Sequence, residues 1–253
     1  MNALGIVLVD VGIAAGFLGL VSLVRPLHFL GIRSRRRAAS LIGIGAVLGV
    51  AGAALPAPLR RAEGEPSLLD DYVPGYQFQE FHETRVQAPP ERVYRAILEV
   101  TADEIWLFRT LTWIRSPRLV ERAESILSPG GKRPILEVAT STGFLKLAED
   151  PGREIVVGTI VVAPPEARSH SGPFTPQMFA ELDRPDFAKA GMNFRVQDEG
   201  NGWCRVTTET RVYATDTAAR RRFAAYWRII YPGSAFIRVM WLKAIRERAQ
   251  GRL

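Results

Sequence analysis

Two long apolar runs open the chain, and a mixed polar pattern follows them. Leu4 to Val24 carries one charge, Asp10, and Ala38 to Leu55 carries none. A helix crosses a bilayer with about 20 apolar residues, within a range of about 17 to 25. Both runs qualify, the second at the short end. Between them stand Arg25, Arg33, Arg35, Arg36 and Arg37. The pattern predicts a transmembrane helical hairpin over residues 1–58. Arginine in the connecting loop assigns that loop to the cytoplasm. The protein is then integral to the membrane, with an extracytoplasmic soluble domain. Arg60 and Arg61 pull weakly the other way. A competing pattern runs from Arg33 through the second apolar run to Ala57 and imitates a signal peptide with its cleavage site. A signal would stand at the extreme N-terminus, where a full apolar run already lies.

Within the hairpin, Gly12/Gly16 and Gly45/Gly49 place small residues four apart. That spacing lets helix backbones approach closely, within the hairpin or against a membrane-protein partner. Asp10 is the one ionisable group in either run. No Lys, Arg or His of the second run can pair with it, and a single acid makes no proton pathway.

Beyond the hairpin, residues 59–75 are rich in Pro, charge and small side chains and are expected to form a linker. The folded domain is expected over 76–250. Gln77 to Gln87 alternates as a strand, with Phe78, Glu80, His82, Thr84 and Val86 on one side. Pro90 can open a helix, and Val93, Ala96, Ile97 and Val100 follow at helical spacing. A second helix is expected after Thr101, its cap, with Glu104 three residues on. It would present Ile105, Phe108, Leu111 and Trp113 beside Thr112. Ile135–Ser141, Gly143–Glu149 and Glu154–Val162 read as strands, with Asp150-Pro151-Gly152 as a turn. Ala163–Gly191 reads as a long loop holding one helical turn near Gln177–Leu182. Met192–Gln197 and Trp203–Tyr213 form a hairpin around Glu199-Gly200-Asn201-Gly202. Asp216 caps a C-terminal helix, which Pro232-Gly233-Ser234 should interrupt or kink. Ile237, Met240, Trp241, Ala244 and Ile245 share one face of it, and Arg238, Lys243, Arg246 and Glu247 the other.

The order is strand, helices, antiparallel strands, long amphipathic helix. It predicts an α+β fold in which a curved antiparallel sheet wraps the C-terminal helix. Such a sheet leaves room for a cavity. Met192, Phe194, Val206, Thr208 and Thr210 would line it from strands, and Met240, Trp241 and Ala244 from the helix. An apolar pocket with a few convergent polar groups suits a small molecule.

Composition narrows the choices. Of 253 residues, roughly 190 lie outside the hairpin, enough for one domain with a core. Net charge is +7, but the loop arginines less Asp10 supply +4 of it. What remains is too weakly basic for a nucleic-acid surface. The single Cys204 excludes an internal disulfide and reads as a small apolar strand residue. His28, His82 and His170 are far apart and no cysteine pair exists, so no metal site is expected. Pro129-Gly130-Gly131-Lys132 lacks phosphate-loop spacing. No dinucleotide fingerprint and no Gly-x-Ser-x-Gly elbow is present, and no cofactor is expected.

Phe81-His82-Glu83-Thr84-Arg85-Val86-Gln87-Ala88-Pro89-Pro90-Glu91-Arg92-Val93-Tyr94 resembles the first strand and helix opening of the START-like superfamily, also called SRPBCC or helix-grip. Thr208 to Val212 and Trp241 to Ile245 agree with its last strand and helix. The resemblance spans Gln77 to Gln250. It implies a helix-grip fold with a deep cavity for hydrophobic or amphipathic ligands, and no shared catalytic set. Lipid carriers, hormone and steroid binders and polyketide cyclases share this fold. A membrane hairpin departs from the soluble pattern.

Three functions stay open. The first is a membrane-anchored module binding a lipid or other apolar molecule, with Glu80, His82 and Thr84 also lining the site. The second is a cyclase- or hydrolase-type enzyme with Glu80 and His82 as an acid/base pair. Those two residues would otherwise be solvated at the sheet's open end. The third is a non-catalytic subunit docked through the hairpin. Arg220-Arg221-Arg222 is a solvated helix face or a contact for anionic head groups.

Overall fold

The computed structural model describes residues 3–32, 34–108, 110, 132–169 and 174–252. They form two units, Met1–Pro58 with Arg221–Tyr231, and Leu59–Arg220 with Pro232–Leu253.

In the first unit, α1 (Ala3–Val24) and α2 (Arg35–Ala54) form a hairpin. Both are long and apolar enough to cross a bilayer. Ser34 caps α2 by accepting the Arg37 N–H at 3.3 Å. The helices touch at glycine. A Cβ on Gly12 would lie 2.6 Å from the Gly45 carbonyl oxygen, and one on Gly45 2.6 Å from that of Gly12. Gly16 and Gly49 contribute their backbones to this seam, while a Cβ on either would point into open space. Leu4, Val7, Val11, Phe17, Val47 and Val50 face outward, each at least half exposed.

The second unit is α+β. Its five-stranded antiparallel sheet has the order β3-β7-β6-β5-β4, and a long C-terminal helix packs on its inner face. The strands are β3 (Phe78–Val86), β4 (Leu145–Asp150), β5 (Glu154–Val162), β6 (Ala188–Gly200) and β7 (Trp203–Ala214). A two-stranded ribbon pairs β1 (Arg60–Arg61) with β2 (Gly75–Tyr76). The helices are α3 (Pro90–Glu99), α4 (Ile135–Ser141), α5 (Pro176–Ala180) and α6 (Thr217–Ala249). Residues 221–231 of α6 belong to the first unit. Asp216 caps α6 as expected, accepting from the N–H groups of Ala218 and Ala219. The core holds Val93, Ile97, Ile135, Phe194, Val206, Trp241 and Ile245. Each such side chain stabilises the fold by about 1.5–3 kcal/mol relative to exposure.

Several expectations need correction. Ile135–Ser141 is helix, not strand. Ile135, Leu136, Val138 and Ala139 are buried at helical spacing, and Thr140 turns its hydroxyl back to the Leu136 carbonyl at 3.0 Å. Strand β6 starts at Ala188, inside the expected loop. Pro232 lies inside α6 without ending it. Arg238 does not sit on a solvent face; it bonds Thr210 of β7. After Thr101 the described residues show a 3-10 turn, Ala102–Glu104, with the expected Glu104 contact to the Thr101 N–H, then helix at Phe108 and Thr110, and Ile105 and Phe108 are buried. Leu111, Thr112 and Trp113 lie outside the described residues, as do Gly130, Gly131 and His170.

The segment from Leu59 to Gly75 is ordered rather than a tether. Leu69 and Val73 are fully buried, in a second cluster with Tyr76, Leu147, Val156 and Phe179 on the sheet's outer face. Gly191 makes room for them, since a Cβ there would meet Leu69 Cδ1 at 2.7 Å and Val73 Cγ2 at 2.9 Å.

Candidate functional site

Alternation along β3 sends Phe78, Glu80, His82, Thr84 and Val86 to the inner face and Gln79, Phe81, Glu83 and Arg85 outward. Antiparallel register then builds rungs across the sheet. Glu80 stands opposite Thr210, and Thr210 opposite Met192. His82 stands opposite Thr208, and Thr208 opposite Phe194. Thr84 faces Val206. From α6, the Trp241 ring lies 5.0 Å from that of Phe194, and Ala244 and Met240 pack in the same cluster. The strand and helix residues expected to line a site thus gather on one face.

They divide by burial. Met192, Phe194, Val206, Thr208, Trp241 and Ala244 are each at most 3% exposed. His82, Thr84, Thr210 and Met240 keep partial access to solvent. Thr208 donates its hydroxyl to the Asn193 carbonyl at 2.8 Å, a bond internal to the sheet.

Glu80 is the unusual member, a carboxylate only 2% exposed on an apolar face. Burying a charge is costly unless it is hydrogen-bonded. Ser234 of α6 donates its hydroxyl to Glu80 Oε2 at 2.8 Å, and His82 Nε2 lies 3.1 Å from Glu80 Oε1. Ser234 was not among the expected residues. Its position seven before Trp241 was the available signal, because a seven-residue step returns to the same helix face. Arg238 was also missed. It donates to Thr210 Oγ1 at 3.1 Å, with its guanidinium 5.5 Å from the Trp241 ring centre. Trp241 Nε1 is buried and has no hydrogen-bond acceptor among the described residues. A donor left in this state costs about 1–3 kcal/mol.

No protein-family model matches the chain, and no curated protein matches it. Solved structures similar to it include the Zhui aromatase/cyclase from a Streptomyces species, at 12% identity over 69% of this chain and 94% of that one, TM-score 0.25. Human STARD10 is similar at 9% identity over 80% and 79%, TM-score 0.27. A hypothetical protein from Helicobacter pylori is similar at 8% identity over 75% and 99%, TM-score 0.34. These are likenesses of fold, and nothing about activity passes through them.

Two other features are of a different kind. A cleft of about 720 Å³ at one end of the sheet is lined by Pro90, Glu91, Gly152, Arg153, Arg195 and Gln197. A smaller groove of about 220 Å³ lies over the outer face at Phe81, Asn193, Arg205 and Glu209. Both are open to solvent, and neither contains an expected site residue. Among the described residues no three potential metal ligands come together. Cys204 is buried, with its sulfur 3.2 Å from the Ala88 carbonyl oxygen, and burial pushes its thiol pKa up.

Proposed function

We propose that the protein is a membrane-anchored module that binds an apolar small molecule or lipid on the inner face of its sheet. One observation carries this reading. The inner face, shared with His82, three threonines and Arg238, holds a buried, hydrogen-bonded carboxylate at Glu80 and a donor at Trp241 Nε1 with no acceptor among the described residues. Apolar walls with few polar groups give affinity from the walls and orientation from the groups. Glu80 is bonded to Ser234, and Ser234 and Trp241 are seven helical residues apart. The two polar points are therefore about 10 Å apart along the helix. They suit an elongated apolar body with a hydroxyl or amine for Glu80 and an acceptor further along for Trp241. The partly exposed His82, Thr84, Thr210 and Met240 form the way in, and methionine yields easily to an entering chain. The outward apolar faces of α1 and α2 support the membrane setting, because a two-helix hairpin has no core in which to bury them.

The order of polar groups bears on the enzymatic alternative. Nucleophilic triads place an imidazole between the hydroxyl and the carboxylate. Here the carboxylate is in the middle, so Ser234 lacks an imidazole base. The subunit alternative loses part of its motif, because Gly12 and Gly45 are used inside the hairpin.

The test is native mass spectrometry of the detergent-purified full chain, followed by titration with a dansyl-labelled long-chain alcohol. The wild type is expected to retain a lipid mass and to bind the probe. Glu80→Gln should bind it about tenfold more weakly, equivalent to one charge-assisted hydrogen bond. A wild type that neither retains lipid nor binds the probe overturns the proposal.

A further inference from the structure

Residues 221–231 are a stretch of α6 that belongs to the same unit as the apolar hairpin. Arg228 ties them to it. It is 1% exposed, and its two terminal nitrogens donate to the Ala53 carbonyl at 2.8 Å and the Leu55 carbonyl at 2.6 Å. Those are carbonyls at the C-terminal end of α2, which has no intrahelical partners left to offer them. A cation there also meets the negative end of the helix dipole. The first turn of α1 lies alongside, since a Cβ on Gly5 would come within 3.2 Å of Arg228 Nε.

The outward stripe of this stretch runs through Arg221, Arg222, Ala225, Tyr226 and Ile229, all exposed. It changes character along its length, from two arginines through tyrosine to isoleucine. Tyr226 is 40% exposed and Ile229 60%. On the opposite side Phe223 packs tilted against Trp227 at 5.6 Å between ring centres, and Trp227 against Tyr231 at 5.9 Å. Arginine and tyrosine exposed beside the end of an apolar helix long enough to span are residues of the bilayer boundary. There their apolar bodies meet the acyl chains and their polar tips meet the head groups.

We infer that residues 221–231 form an interfacial segment that lies at the head-group level of the bilayer, with Ile229 and Tyr226 at the acyl boundary and Arg221 and Arg222 toward lipid phosphates. This inference rests on the membrane-anchored reading. It adds a third contact with lipid, contributed by the helix whose later residues carry Ser234 and Trp241. The occupant of the exposed stripe is lipid. The Arg228 bonds fix the stripe at the level where α2 ends, and arginine there complements anionic head groups.

The experiment uses the full chain in nanodiscs containing phosphatidylglycerol, in a Cys204→Ala background. Spin labels are placed singly at Ile229→Cys, at Val47→Cys on the outward face of α2, and at Glu83→Cys on β3. Collision with oxygen and with a water-soluble nickel chelate reports depth. The expected result is Val47 in the hydrocarbon, Glu83 in water, and Ile229 between them at the interface. Charge reversal at Arg221→Glu with Arg222→Glu should then move the 229 label toward water. Val47 in hydrocarbon with Ile229 in water overturns the interfacial segment and leaves the anchor standing. A 229 label immobilised and reached by neither collider also overturns it, by showing a protein contact. Val47 in water removes the anchor itself, and the inference with it.

Discussion

The two faces of the sheet handle charge in opposite ways. On the outer face the buried Arg211, Glu209, Glu154 and Lys189 are each hydrogen-bonded. Arg211 clasps both oxygens of Glu209, at 2.7 and 2.9 Å, and reaches Asp70 at 2.5 Å. Glu154 accepts from Ser67, the Leu68 N–H and Asn193 at 2.6, 3.1 and 2.7 Å. These bonds pin the 67–73 segment over the strands. The inner face holds the buried carboxylate of Glu80, met by a hydroxyl and an imidazole, and a tryptophan N–H with no acceptor among the described residues. A fully matched network fixes a structure. A sparse one leaves capacity for a ligand. The outer face is accordingly architecture, and the inner face is where binding is proposed.

Removing one partner of the outer network breaks the comparison most severely. Arg211 is 4% exposed. Burial alone would lower its pKa, yet Glu209 and Asp70 hold the guanidinium above its usual range. Arg211→Met leaves two carboxylates without their cation, which costs about 3–5 kcal/mol. Denaturant unfolding should show that loss, while probe affinity per folded molecule stays at the wild-type value. A variant as stable as the wild type would show that the network does not hold the segment.

Lys189 is a buried outer-face charge bonded to carbonyls, and pH tests it. It is 4% exposed and donates to the Phe179 and Ala180 carbonyls at 2.8 and 2.6 Å. Burial lowers its pKa from 10.5 to about 8, with Asp183 opposing weakly. Between these values the unfolded chain keeps the proton and the folded chain releases it. Stability therefore rises with pH across that window, and the penalty for burying the charged form is fully present below it. Relative to Lys189→Met, the wild type should gain on the order of 2 kcal/mol from pH 8 to 10. A constant gap between the two proteins would show that Lys189 titrates normally.

The contrast between faces was half legible in the sequence. Period-two alternation placed Glu80, His82 and Thr84 together, and the Gly200-Asn201 hairpin set the register that carried Met192, Phe194, Thr208 and Thr210 to them. Segment 59–75 was misjudged because its prolines and charges resemble a linker. The signal was the box of Ser67 and Asp70 with Leu69 and Val73 one helical step apart, and Asp70 and Glu65 proved to pair with Arg211 and Arg195 of the sheet. Such pairs join residues far apart in sequence, so spacing cannot reveal them. Ile135–Ser141 failed for a local reason, since its β-branched residues favour strand while burial at helical spacing decided the outcome. Arg238 failed because the inner stripe of α6 is wider than its apolar members.

The smallest expected effect sharpens the comparison best. Trp241→Phe keeps an aromatic ring against Phe194 and deletes the Nε1 donor together with the pyrrole edge of the indole, so the small cavity left costs some stability whatever the donor does. If that donor merely lay idle in a core, losing it would relieve an unsatisfied group and leave probe binding alone. If it serves a ligand, the stability change is the same, but affinity per folded molecule for a ligand with an acceptor falls several-fold. The dansyl alcohol offers its hydroxyl to Glu80 and its sulfonyl oxygens as acceptors, so it can report both points. A double-mutant cycle of Trp241→Phe with Glu80→Gln then asks whether the two groups act on one molecule. Additive losses fit two separated polar points on one bound chain. Unchanged affinity in Trp241→Phe, beside a loss in Glu80→Gln, would confine recognition to the Glu80 end and make the Trp241 N–H a plain cost of packing.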